Sequence, residues 1–160
     1  MALGDNTLRS AAGNSQRGRN PYMVQTTLNW ATALSDKGSA LAASDVIPVI
    51  AVPKGTMVLN AGIEVDTATD GSTFTVDLGM VDADVFVDGF DATSAAAVVA
   101  QNPAVYQPVM AVADDNIDVT IASLSGGAVT SGKFRVWAVL MDCTDMGDTT
   151  ADEVDRDTLA

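Results

Sequence analysis

Histidine is absent from all 160 residues of the chain. This absence excludes every site that depends on an imidazole: Ser-His-Asp and Cys-His triads, histidine-ligated zinc, and a histidine general base. Catalysis would have to use carboxylates, Tyr, Lys or Ser alone, and no spacing of these residues matches a reaction motif. The sequence therefore predicts a protein that is not an enzyme.

Cysteine and long apolar runs are equally scarce. The single cysteine, Cys143, excludes an internal disulfide and a cysteine-rich zinc site, and we expect it to be a small buried residue near a strand end. No run of apolar residues is long enough for a transmembrane helix. The N-terminus lacks the basic start and apolar stretch of a signal peptide. These absences favour folding in a cytoplasm, without membrane contact.

Aromatic residues make up only 5% of a chain that is 48% hydrophobic, so Ala, Val, Leu, Ile and Met must build the core. Basic residues are also few, with 8 against 21 acidic ones and a net charge of −13. An acidic protein repels phosphate, so we expect no direct nucleic-acid binding. Three arginines near the N-terminus, Arg9, Arg17 and Arg19, can contact phosphate or pair with an acidic neighbour, and the second is favoured.

The longest β-like run is 133–143, which contains neither Gly nor Pro. A period of two places its apolar residues on two faces, with Phe134, Val136, Ala138 and Leu140 on one and Trp137, Val139 and Met141 on the other. Because both faces are apolar, this strand should lie centrally in its sheet and be covered on both sides. The cover over Trp137 is either another part of the chain or another subunit.

Further short β-like runs occupy 46–52, 56–66, 73–78, 105–112 and 116–122. Alternation in 56–66 predicts one shared face for Met57, Leu59, Ala61, Ile63 and Val65. Turn signals separate them, including a predicted hairpin turn with Asp70-Gly71 at its centre. We predict an all-β protein with a β-sandwich, jelly-roll-like body over residues 45–143. Residues 144–160 form an acidic, non-periodic tail.

Residues 1–44 are predicted to form an extended N-terminal arm. Within it, 14–21 is polar and has no period, whereas 24–30 alternates and suits a short extended segment. The arm is either a flexible leader or a segment that docks on a neighbouring surface. Three large apolar residues, Tyr22, Leu28 and Trp30, favour docking, because disordered linkers contain few such residues.

Four carboxylates, Asp82, Asp84, Asp88 and Asp91, crowd into ten residues of a predicted loop. Such a cluster can gather oxygen ligands around Ca²⁺, although the spacing is not that of an EF-hand. The competing interpretation is a solvated acidic loop that Phe86 and Phe90 anchor in the body.

A family resemblance extends over about residues 45–142. It rests on five segments: Val-Pro-Lys-Gly-Thr at 52–56, Gly-Ile-Glu-Val-Asp-Thr-Ala at 62–68, Asp-Ala-Asp-Val-Phe-Val-Asp-Gly-Phe-Asp at 82–91, Ala-Asp-Asp-Asn-Ile-Asp-Val-Thr at 113–120 and Gly-Lys-Phe-Arg-Val-Trp-Ala-Val at 132–139. In style and order these segments resemble small acidic virion proteins of tailed bacteriophages, especially cyanophages, that are described as head decoration or cement proteins.

This resemblance implies a virion structural protein that binds the outside of an icosahedral head and stabilises contacts between capsomers. The implied partners are the major capsid protein and further copies of the chain, as a homotrimer or alternatively a dimer, after assembly in the host cytoplasm. The alternative is a fibre, neck or tail module that binds glycans with the help of Ca²⁺. The predicted interface residues are Arg9, Arg17, Arg19, Tyr22, Leu28, Trp30, Trp137, Val139 and Met141.

Overall fold

Two antiparallel β-sheets pack face to face in a computed structural model that describes residues 20–93, 99–100 and 108–143. The predicted all-β sandwich is therefore confirmed, with the addition of one short helix. No helix within the described residues has the length and apolar character needed to cross a membrane. Arg9, Arg17, Arg19 and the predicted acidic tail lie outside the described residues.

The described elements follow one another in short steps along the chain. They are β1 (Tyr22–Asn29), α1 (Trp30–Lys37), β2 (Val46–Val52), β3 (Thr56–Thr67), β4 (Thr73–Gly79), β5 (Val87–Asp91), β6 (Val99–Ala100), β7 (Val109–Met110), β8 (Asp115–Ser125) and β9 (Lys133–Asp142).

Sheet A has the order β1-β9-β3, and the short strands β6 and β7 pair with the far side of β3. Sheet B has the order β2-β8-β4-β5. The predicted central position of β9 is confirmed, since it lies between β1 and β3 from Lys133 to Leu140. Its alternation sends Phe134, Val136, Ala138 and Leu140 into the core between the sheets.

The core is mainly apolar, with Thr56 and Thr69 as its buried polar residues, and includes one aromatic cluster. Trp30 meets Phe74 and Phe134 edge to face, with ring centroids 4.8 Å and 5.2 Å away. Such edge-to-face pairs add stability beyond the area that they bury. Trp30 belongs to α1, Phe74 to sheet B and Phe134 to sheet A, so the cluster joins the helix and both sheets at one point.

Residues 22–44, which the sequence assigned to an arm, lie in the body of the sandwich. Residues 22–29 form β1, and Trp30 begins α1 with its side chain wholly buried. The Asn29 side chain caps the helix by accepting from the amide of Ala31 at 3.0 Å, and Gly38 ends it with φ of 67°. An eight-residue helix is too short for its periodicity to be recognised in sequence, so it was missed.

The turn at Asp70-Gly71 was predicted to close a hairpin, and that prediction was wrong. The strand before it, β3, belongs to sheet A, whereas the strand after it, β4, belongs to sheet B. The Asp70 carboxylate accepts from the amides of Thr130 and Ser131 at 2.9 Å and 3.2 Å. The turn therefore crosses between the sheets and is bonded to the loop that precedes β9.

A β-bulge in β3 changes which of its side chains face the core. The pairing with β9 shifts register between Val58 and Asn60, so that two residues of β3 oppose one of β9. An extra residue turns the side chains before it to the opposite face. The sequence placed Met57 with Ala61 and Ile63; in the structure Val58 is buried with them and Met57 faces outward.

Candidate interface on the outer face of sheet A

The side of sheet A that points away from the core carries a group of apolar side chains that we call the methionine face. Register defines it, because residues paired across antiparallel strands point to the same side. Met110, Met57 and Met141 form one row across β7, β3 and β9, and Met23 pairs with Val139 in the next. With Trp137, the methionine face comprises Met23, Met57, Met110, Trp137, Val139 and Met141.

These side chains remain partly open to solvent. Met23 is 60% exposed and Met110 is 38% exposed, while the other four members are half-buried. Single exposed apolar residues are ordinary, but a contiguous group of them marks an interaction surface. The face holds four of the seven methionines of the chain, and methionine is a flexible, polarisable side chain that suits adaptable binding surfaces.

Trp137 reaches this face by lying over the backbone of β3. Gly62 is its cross-strand partner, and a Cβ at residue 62 would come within 2.5 Å of the indole Cζ2. A glycine inside a strand commonly marks such a close approach. Because Gly62 has no side chain, the Trp137 indole can lie directly against the backbone of β3.

An ion pair bounds the methionine face on one side. The Arg135 guanidinium donates to the Glu64 carboxylate at 2.8 Å, and the two residues are paired across β9 and β3. Their side chains are 42% and 26% exposed, so solvent screens the pair and its contribution to stability is small. The pair makes the outer face of sheet A polar at the end where Arg135 and Glu64 lie, whereas the opposite end is mainly apolar.

The outer face of sheet B differs in charge. Asp77, Asp91 and Asp118 all lie there, on β4, β5 and β8. Burial raises the pKa of Asp118, and the negative charge of Asp115 raises it further. An acidic face and an apolar face therefore lie on opposite sides of one sandwich.

The structure separates the predicted interface residues into three groups. Trp137, Val139 and Met141 lie together on the methionine face. Tyr22 is 45% exposed at the start of the edge strand β1, and Leu28 is half-buried against the core. Trp30 was predicted to bind a partner, and that prediction was wrong. Its indole is wholly buried in the sandwich interior and is not available to a partner.

Sequence reasoning missed Met23, Met57 and Met110. Met23 was assigned to the arm, and the bulge reversed the predicted direction of Met57. Met110 lies in a two-residue strand whose pairing with β3 has no sequence signal. The usable signal was compositional: the chain has seven methionines, and methionine is enriched at adaptable binding surfaces.

The four clustered carboxylates do not act as one group. Asp91 accepts from the Thr93 hydroxyl at 2.6 Å and from the Thr93 amide at 2.9 Å, and these bonds lower its pKa. Asp82 instead shares a hydrogen bond with Asp84, and this bond and the Asp82 charge raise the pKa of Asp84, with a smaller contribution from Asp88.

Residues 87–91 form β5, although the sequence had assigned them to a loop, and Phe86 and Phe90 are buried beside them. In the part of the chain that the structure describes, no three His, Cys, Asp or Glu side chains are grouped to hold a metal ion. The calcium site therefore stays a prediction.

Comparison with known proteins yields a fold likeness. No protein-family model matches the chain, and no curated protein matches it either. Among solved structures, a chain of the cyanophage Pam1 capsid asymmetric unit matches with a TM-score of 0.60 at 16% identity, covering 88% of this chain and 97% of that one. A chain of the capsid of Ralstonia phage GP4 matches with a TM-score of 0.57 at 16% identity, covering 86% and 93%. The chain shares its fold with chains from both capsids.

Proposed function

We propose that this chain is a structural protein of a bacteriophage virion, acting as a decoration or cement protein on the outside of the icosahedral head. The observation that carries the proposal is the near-complete mutual coverage with chains of two phage capsids, at 88% and 97% for one and 86% and 93% for the other. The likeness thus extends over whole chains of similar length, rather than over one shared motif.

In this function the methionine face binds the major capsid protein. Its six members, with Asn60 beside Val139 among them, form a mainly apolar surface whose flexible side chains can fit an uneven partner. The opposite face, with Asp77, Asp91 and Asp118, is better placed toward water. This orientation puts the acidic side outward, where it keeps particles apart in solution.

The task is mechanical, since a decoration protein has to hold capsomers together and performs no reaction. Each contact can be weak, because many copies on one shell act together through effective concentration. A homotrimer at a point where three capsomers meet would contact all of them at once. A dimer across the boundary of two capsomers is the alternative.

Binding to purified shells that lack this protein provides the test. The variant carries Met23→Glu and Met110→Glu, which place two charges on exposed positions of the methionine face without disturbing the core. The matched control carries Val46→Glu and Val81→Glu, at apolar residues that are 56% and 76% exposed elsewhere. We expect co-sedimentation of the methionine variant to weaken at least about tenfold, because a charge in an apolar contact costs several times RT.

The control should bind like the wild type. Equal binding of both variants and the wild type would show that the methionine face is not the contact surface. A cryo-EM map of the complete particle without density for this sandwich on the head would refute the decoration role itself.

A further inference from the structure

Three of the four edges of the two sheets carry features that prevent pairing with another strand. The edge strand β2 contains Pro48 and a register shift after it. The edge strand β5 contains Asp88 and Asp91. On the far side of β3, β6 and β7 have only two residues each. Proline, bulges, charges and short length are the usual protections of a sheet edge.

The fourth edge, β1, has none of these protections. It runs for eight residues, Tyr-Met-Val-Gln-Thr-Thr-Leu-Asn, with no charge and no proline. Its pairing with β9 is regular from Tyr22↔Leu140 to Asn29↔Lys133. Among the described residues no strand pairs with its other side. Within the described residues, the main-chain groups on that side have no strand beside them, and an added strand could pair with them.

We propose that β1 pairs antiparallel with β1 of a second copy of this chain, so that sheet A continues from one copy into the other. The distribution of charge favours β1 as the contact between two copies. Two chains of net charge −13 repel one another over most of their surface. Next to β1, the paired residues on β9 include Lys133 and Arg135, and β1 itself carries no carboxylate.

The alternation of β1 restricts the register of this pair. Met23, Gln25 and Thr27 point to the outer face, whereas Val24 and Thr26 point to the core. Paired residues must share a face, so the two-fold axis lies level with a residue and not between two residues. The greatest overlap of the eight-residue strands places it at Gln25 or Thr26. Either register pairs seven residues of each copy.

Such a contact uses the same strand of both copies and closes on itself as a dimer, so it favours the dimer over the homotrimer. It also joins the methionine faces of the two copies into one longer surface, because the outer face of sheet A stays on the same side in both. The dimer does not depend on the virion function proposed above.

Light scattering over a concentration series of the full chain tests the proposal. We expect the mass to rise toward twice 16.4 kDa. The variant carries Gln25→Lys and Thr27→Lys, both at exposed positions of β1. Lysines facing each other across the pair should weaken the dimer at least about tenfold. The matched control carries Asn116→Lys and Ala122→Lys, at exposed positions of β8, which is paired on both sides.

The control should dimerise like the wild type. Amide hydrogen exchange supplies a measurement that needs no variant: protection of residues 22–29 should increase with protein concentration. A wild type that stays monomeric at about 100 µM, or protection of β1 that does not change with concentration, would overturn the proposal. A trimer whose mass the β1 lysines leave unchanged would overturn it as well.

Discussion

Trp137 rests in the space that Gly62 leaves open: a Cβ on residue 62 would lie 2.5 Å from Cζ2 and 2.8 Å from Cε2 of the indole. Neither distance is tolerated between real atoms, so any side chain at residue 62 must displace the indole. The half-buried position of Trp137 on the methionine face thus depends on a glycine of the neighbouring strand.

The first prediction is that Gly62→Ala lifts the indole off the sheet and lowers the free energy of unfolding by about 1–3 kcal/mol, as overpacking does. The fluorescence of Trp137 should shift to longer wavelength because the indole becomes more exposed. Trp137→Phe in the same background separates this signal from that of Trp30. Unchanged emission with unchanged melting temperature would contradict the described contact.

The second prediction compares the two tryptophans. Trp30→Ala empties the aromatic cluster with Phe74 and Phe134, and should cost about 3–5 kcal/mol. Trp137→Ala removes a half-buried side chain and should cost roughly 1–2 kcal/mol. Urea unfolding monitored by circular dichroism measures both. Equal losses, or a larger loss for Trp137, would mean that residue 30 does not belong to the core.

The third prediction concerns acid stability at Asp70. The Thr130 hydroxyl and the amides of Thr130 and Ser131 lower the pKa of this carboxyl from 3.8 to about 2. A lowered pKa in the folded state stabilises the fold above pH 3.8, and that contribution disappears as pH falls from 3.8 through 2. Asp70→Asn should therefore melt below the wild type at pH 6, and the difference should shrink toward pH 2.

Thr130→Val provides the second variant for this site, because it removes the donor with the largest effect on Asp70. It should show the same pH trend, and the double variant should lose less than the sum of the single losses. A melting difference for Asp70→Asn that stays constant from pH 6 to pH 2 would refute the assignment.

The fourth prediction has the opposite sign. Asp82 raises the pKa of Asp84 above 3.8, chiefly through their shared hydrogen bond. A raised pKa of an acid penalises the folded state when the group is ionised, and the penalty disappears as pH falls to 3.8. Asp84→Asn should therefore raise the melting temperature at pH 7 and have no such effect below pH 3.8.

The predicted calcium site gives a fifth measurement on the same pair. If Ca²⁺ binds between Asp82 and Asp84, it should raise the melting temperature of the wild type, and Asp84→Asn should abolish this response. A chelator should reverse the effect. No heat in calorimetry and no melting shift with millimolar Ca²⁺ would remove the calcium hypothesis.

Alternation alone identified most of the long strands, because one face of each is buried and the other meets water. The long strand β9 and its inward residues followed from that rule, as did its central place in sheet A. Alternation could not reveal the bulge after Val58, since an inserted residue leaves no compositional trace, and Met57 was consequently assigned to the wrong face.

Long-range pairing was harder to predict than the strands themselves. Asp70-Gly71 is a strong hairpin signal, but local turn chemistry does not determine which sheet the next strand joins. Residues 22–29 were assigned to an arm for a similar reason: among the described strands β1 pairs with β9 alone, more than a hundred residues later. The methionine face depends on the bulge in β3 and on the long-range pairings of β1 and β7. Only its members on β9 could therefore be found from the sequence.

The insertion of β9 between β1 and β3 has a consequence for the order of events during translation. The four strands of sheet B have all been synthesised once Ser125 leaves the ribosome, whereas β1 and β3 have no common neighbour until residues 133–142 follow. Pairings so distant in sequence form late, because a long loop must close first. Trp137, Val139 and Met141 arrive on this last strand, so the methionine face is complete only after residues 133–142 have been synthesised and paired. The topology thus makes the methionine face one of the last surfaces of the sandwich to form.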